Sequence, residues 1–153
     1  MTVKEYLEEL PNMRMRIRAM ERKIQECEER ASDTSAKLTD EHGSGGGNKI
    51  TDNVDEAVDL EAKLKEMVKG FKRFELIVSE QIGKMPNSTY SGLLFNKYIN
   101  GMTWEEVAAE TDKGVDYVRK ELHSKALAEF SKIYPDYPRF TPCILLENDY
   151  NGR

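Results

Sequence analysis

Few residues of this chain are spaced for covalent or metal chemistry. Its 2 cysteines, Cys27 and Cys143, stand isolated and lack metal-ligand spacing, as do its 2 histidines, His42 and His123. There is no nucleophile motif and no pair of carboxylates in an apolar setting. The sequence therefore predicts no enzyme, no metal and no cofactor, and the cysteines read as reduced thiols. The stretch Gly43-Ser44-Gly45-Gly46-Gly47-Asn48-Lys49-Ile50 has some glycines of a phosphate loop. It lacks Gly before Lys49 and Ser or Thr after it, and no strand precedes it, so it reads as a flexible linker. What remains is noncovalent. Lys113, Asp116, Tyr117, Arg119, Lys120, His123 and Ser124 crowd one short stretch, and these are side chains that hydrogen-bond base edges and phosphates.

The elements around that stretch predict how it is held. Val115, Val118, Leu122 and Ala126 fall on one face of a helix running from Val115 to about Ile133, ended by Tyr134-Pro135. With a step of about 100° per residue, Asp116, Tyr117, Lys120 and Ser124 point outward, and Arg119 and His123 lie on the shoulder. A three-residue turn, Asp112-Lys113-Gly114, links this helix to an earlier one that buries Val107 and Ala108. That earlier helix opens with Thr103-Trp104-Glu105-Glu106, a capping box. Trp104 is expected to pack at the edge. Before it, Thr89–Asn100 reads as a helix capped by Asn87 or Ser88, with Leu93, Leu94, Tyr98 and Ile99 inward. Gly101 suits the left-handed position that ends a helix. Two helices joined by a tight turn and buttressed by a third match the helix-turn-helix plan. On that plan Arg119 and Lys120 reach guanine or phosphate, and Tyr117 a thymine methyl or phosphate. Lys113 and the backbone N–H groups opening the Thr103 helix meet phosphate. Asp116 is better suited to stabilising its own helix end than to reading cytosine.

Two heptad runs precede this region. Leu10, Met13, Ile17, Met20, Ile24, Cys27 and Ala31 are spaced by alternating threes and fours, and so are Ala57, Leu60, Leu64, Met67, Phe71, Phe74 and Val78. Val54, Val68 and Ile82 widen the second face, with Ile77 on its opposite shoulder. Ser32–Asp52 separates the runs, with the glycine-rich linker at about 37–52. Pro11 predicts that the first long helix starts there, leaving residues 2–9 as a short separate turn or helix. Gly70 weakens the second helix by about 1 kcal/mol relative to Ala. The expected fold is all-α: an antiparallel helical hairpin over 1–85, a three-helix helix-turn-helix domain over 86–134 and an extended tail over 135–153. A parallel dimer through the first helix, with Arg16 and Lys23 facing the acids of its copy, is the competing arrangement.

Composition bounds the function. The 153 residues are 39% hydrophobic and 33% charged, with net charge −5 and a charged N-terminal stretch. No apolar run suits a membrane span or a secretion signal, so the expectation is a cytoplasmic protein with no membrane partner. Between Pro86 and Tyr134, six bases stand against seven acids. Such a domain neutralises few phosphates alone, which favours a homodimer, RNA polymerase, or the basic row Arg14, Arg16, Arg18, Arg22 and Lys23 as a helper. In the tail, three prolines lead to an apolar patch, Cys143–Leu146, expected to fold back on the domain.

The run Leu94-Phe95-Asn96-Lys97-Tyr98-Ile99-Asn100-Gly101-Met102-Thr103-Trp104-Glu105-Glu106-Val107-Ala108 resembles the entry to the −35-reading domain of sigma factors, and Ser124-Lys125-Ala126-Leu127 resembles the close of its recognition helix. From Met1-Thr2-Val3-Lys4-Glu5-Tyr6-Leu7 to about residue 133 the chain is similar to short phage regulators of the RinA-like and ArpU-like type. The resemblance implies a sequence-specific transcription regulator, a phage late-gene activator that binds double-stranded DNA, with RNA polymerase as a candidate second partner. The sequence departs from that pattern in two places. Asp112 stands where the turn usually has Gly, and one extra residue lies between Val118 and His123. The alternatives are a phage small terminase subunit, or a coiled-coil interaction module without DNA binding.

Overall fold

A computed structural model describes residues 1–37 and 47–136, with side chains over 1–33 and 52–136. Among the described residues there are helices and connecting turns but no strand. The long helices are α1 (Val3–Lys37) and α2 (Gly47–Gly83). Next come α3 (Ser88–Leu94), which runs into a π-helical turn at Phe95–Ile99, and α4 (Trp104–Thr111). The last rod is α5 (Val115–Tyr117), a second π-helical turn at Val118–Leu122, and α6 (His123–Ile133). No helix among the described residues is long and apolar enough to cross a membrane.

The chain divides into two compact units. One joins Met1–Met13 to the chain from Gly70 onward, and the other is Arg14–Lys69. The division falls inside both long helices.

In the first unit Pro11 does not start α1 but sits inside it. A proline there removes one backbone hydrogen bond and crowds the preceding turn, at a cost of about 3 kcal/mol. Two features offset that cost. Tyr6, Leu7 and Leu10, on the turns before the proline, are fully buried. Thr2 and Glu5 also form a capping box: the Thr2 N–H donates to Glu5 Oε2 at 2.6 Å, and the Glu5 N–H donates to Thr2 Oγ1 at 3.2 Å. The Thr2 donors hold the Glu5 carboxyl below its ordinary pKa, the backbone N–H contributing most. Residues 2–9 are therefore the first turns of α1, not a separate element.

Tyr6 is central to this core. Its ring meets Phe74 edge-on at 5.3 Å and Phe130 at 6.2 Å, and its hydroxyl donates to Gln81 Oε1 at 2.8 Å. Burying the ring without that acceptor would strand a phenol in an apolar setting. Val78, Ile82, Leu93, Leu94, Val107, Val118, Ala126 and Phe130 complete the cluster. The inward residues expected of the last three helices are buried, with Ile99 and Val115 half-buried.

In the second unit the heptad spacing defines the covered face. Ile24, Cys27 and Ala57 are buried, while Ile17, Met20, Ala31, Leu60, Leu64 and Met67 are half-buried. Burial, and then the neighbouring Glu56 carboxylate, push the Cys27 thiol above its ordinary pKa. The break between the runs is shorter than expected, because α1 continues to Lys37 and α2 already begins at Gly47. Extending an existing helix by weak formers costs only tenths of a kcal/mol per residue, roughly, so Ser32 to Lys37 can continue α1. The rest of the linker, with His42 and most of the glycine cluster, lies outside the described residues, as do Cys143 and the apolar patch of the tail.

Candidate nucleic-acid interface

The expected interface rests on α4, the turn after it, and the α5–α6 rod. Thr103 caps α4, and the box is closed at both ends: the Glu106 N–H donates to Thr103 Oγ1 at 3.3 Å, and the Thr103 N–H donates to Glu106 Oε2 at 2.8 Å. At the other end of α4, Asp112 adopts φ 52 and ψ 41, the left-handed conformation that glycine takes freely. The Asp112 and Lys113 N–H groups donate back to the Ala109 and Ala108 carbonyls at 3.4 and 3.3 Å, turning the chain into α5. Gly101 likewise has φ 69 after the π-turn at the end of α3.

The side chains on this surface differ in what holds them. Asp116 is 80% exposed and pairs with Arg119 at 3.1 Å, so it restrains the arginine within one turn. Lys113 Nζ stands 6.0 Å from the centre of the exposed Tyr117 ring. Lys120 is exposed, and its carbonyl accepts from the Ser124 hydroxyl at 2.6 Å. Lys113, Asp116, Tyr117, Arg119, Lys120 and Ser124 all lie in water, as expected.

His123 does not. It is only 6% exposed, with Nε2 2.8 Å from the Tyr98 hydroxyl and its ring 4.7 Å from Trp104. The π-turn explains the difference. The His123 N–H donates to the Val118 carbonyl five residues back, so the turn is wider than an α-turn and accommodates one residue more. Leu122 and His123 both face the core, where regular α-helical spacing would have put His123 on the shoulder. The π-turn takes up one residue more than an α-turn here, and Ala126 and Phe130 regain the buried face.

Burial, and then the charges of Lys4 and Lys97, push the His123 pKa down to about 4, which keeps the imidazole neutral at pH 7. The Tyr98 hydroxyl is pushed well up by burial, with Glu8 adding to the effect. Beside this pair, a cavity of about 470 Å³ opens between the start of α1, the Gly101–Trp104 loop and the last rod. The residues that line it are far apart in sequence, and nothing in their spacing announces it. Among the described residues, no group of His, Cys, Asp and Glu could hold a metal ion. No family model, curated protein or solved structure matches the chain.

Proposed function

We propose that this chain is a sequence-specific, double-stranded DNA-binding regulator of transcription, in which α4 and the α5–α6 rod act as a helix-turn-helix buttressed by α3. One observation carries the reading. A capped helix and a tight left-handed turn lead into a rod that buries Val118, Leu122 and Ala126 and leaves Asp116, Tyr117, Arg119 and Lys120 in water beside Lys113. In such an arrangement the start of the second helix enters the major groove. Lys120 is the foremost base or phosphate contact on this reading, and Arg119 joins it once it leaves Asp116.

The resemblance to RinA-like and ArpU-like regulators sets the proposed context, activation of phage late genes in the cytoplasm. The six bases against seven acids over 86–134 favour a second contributor to affinity, either RNA polymerase or another copy of the chain. The first two helices are proposed to form an antiparallel hairpin, supported by Tyr6 meeting Gln81 in one unit and Cys27 meeting Glu56 in the other.

Lys120→Ala and Arg119→Ala should weaken specific binding by about 1–3 kcal/mol if they read bases, with thermal unfolding nearly unchanged. A phosphate role would instead weaken all sequences alike and lower the salt slope by about one. Val118→Ala should do the reverse, costing about 1–3 kcal/mol of stability. Genome-wide capture of bound DNA, with and without RNA polymerase, supplies the target sequences. If both surface variants keep full occupancy and transcriptional output, the interface is misassigned, and the coiled-coil interaction module takes its place.

A further inference from the structure

The cavity beside His123 collects charge in a way the folding of the unit does not require. Lys4 from α1, Lys97 from the π-turn after α3 and Arg119 from the last rod all line it, against one carboxylate, Glu8. Glu8 answers Lys4 at 3.7 Å, and Arg119 is held at the rim by Asp116. Among the described residues, no carboxylate pairs with Lys97. Its part-buried ammonium donates to the Met102 carbonyl at 3.2 Å and lies 4.5 Å from the centre of the Trp104 ring. A carbonyl and an indole face orient a cation without neutralising it. The floor of the cavity is the Tyr98–His123 pair, whose imidazole stays neutral and adds no competing acid.

We propose that this cavity binds a phosphoryl group. Three cations converge from three elements onto a space of about 470 Å³. That volume is within the range of small-molecule sites, and the three like charges around it are donors that cannot satisfy one another, so an anion is the complementary occupant. A phosphate dianion presents several acceptors to donors arriving from different sides, and charge-assisted bonds of this kind are about twice as strong as neutral ones. It would also complete the neutralisation of Lys97 without displacing its carbonyl contact. The phosphoryl group can come from a free phosphorylated compound or from a nucleic-acid backbone passing Arg119. The assignment does not rest on the DNA-binding reading.

The protein supplies its own reporter. Trp104, the single tryptophan in the sequence, lies on the cavity wall. Titration of the full chain with inorganic phosphate or pyrophosphate, at constant ionic strength against chloride, should change its fluorescence saturably. Lys4→Gln and Arg119→Gln, both at exposed positions, should each weaken that saturation about tenfold, the loss of one charge-assisted hydrogen bond. Lys125→Gln, on the same rod but away from the cavity, should leave it unchanged. Phosphate should also raise the His123 pKa from about 4, read from its ring resonances, because it offsets the field of the two lysines. Short duplex DNA that displaces bound pyrophosphate identifies the backbone as the source, and undisturbed binding identifies a free ligand. Loss of duplex binding in Lys120→Ala with pyrophosphate saturation intact separates the cavity from the DNA interface. A change that only tracks chloride, or a saturation that both cavity variants leave untouched, overturns the proposal.

Discussion

The two compact units bury their shares of the same two long helices to different degrees. In the unit built from Met1–Met13 and Gly70 onward, each stretch of α1 and α2 is met by further helices, and Tyr6, Leu7, Leu10, Phe74, Val78 and Ile82 are fully covered. In Arg14–Lys69 the same heptad spacing leaves most seam residues half-buried and only Ile24, Cys27 and Ala57 buried. An identical periodicity thus yields a closed core where a third and fourth helix arrive, and a partly wet seam where, among the described residues, two helices have only each other. The pattern says which face is covered, and the number of partners decides how completely.

The largest expected effect tests that difference directly. Phe74→Ala should cost about 3–5 kcal/mol, since it empties a fully buried site and removes the edge contact to Tyr6. Leu64→Ala, at a half-buried seam position, should cost only about 1 kcal/mol. Denaturant unfolding monitored by circular dichroism measures both. Equal losses would mean that the seam is as tightly packed as the core, and the comparison would fail.

A second effect is confined to the closed core. His123 has a folded pKa near 4 against an ordinary value of 6.5, so the unfolded chain binds more protons between those values. Stability should therefore be complete above pH 6.5 and fall as pH drops through that window towards 4. Thermal unfolding midpoints at successive pH values give the slope, and His123→Gln should flatten it. A slope that survives the substitution would assign the effect to other groups.

The smallest effect concerns the turn. Asp112→Gly should raise stability by about 0.5–1 kcal/mol, because glycine takes a φ of 52 without strain. A loss instead would show that the greater freedom of glycine in the unfolded chain outweighs the relief.

Much of this fold is legible in the residues. The heptad seams, the Asn87 and Thr103 caps, the Gly101 terminus and the stripe Val118, Leu122, Ala126 arise from local spacing and capping chemistry. Pro11 misleads because its local cost is outweighed by contacts with residues beyond position 70, which no window along the chain contains. The signal against that reading is present, since Thr2 and Glu5 carry the same three-residue spacing as Thr103 and Glu106. A shoulder position for His123 assumes a uniform 3.6-residue turn. The π-turn over Val118–Leu122 is where that assumption breaks. The cavity leaves no such trace, because Lys4, Lys97 and Arg119 meet only after α1 has packed on the rest.

Gln81 has a consequence for how the protein is made. Its side chain accepts from the Tyr6 hydroxyl, and its backbone carbonyl accepts from the Tyr134 hydroxyl at 2.8 Å. On the ribosome, Tyr6 emerges long before the ring of Phe130 and the hydroxyl of Tyr134, which lie at the far end of the described chain. Until then the apolar side of the first turns of α1 has no complete shelter. The nascent chain must carry that surface at least until α6 and Tyr134 have been made and can dock.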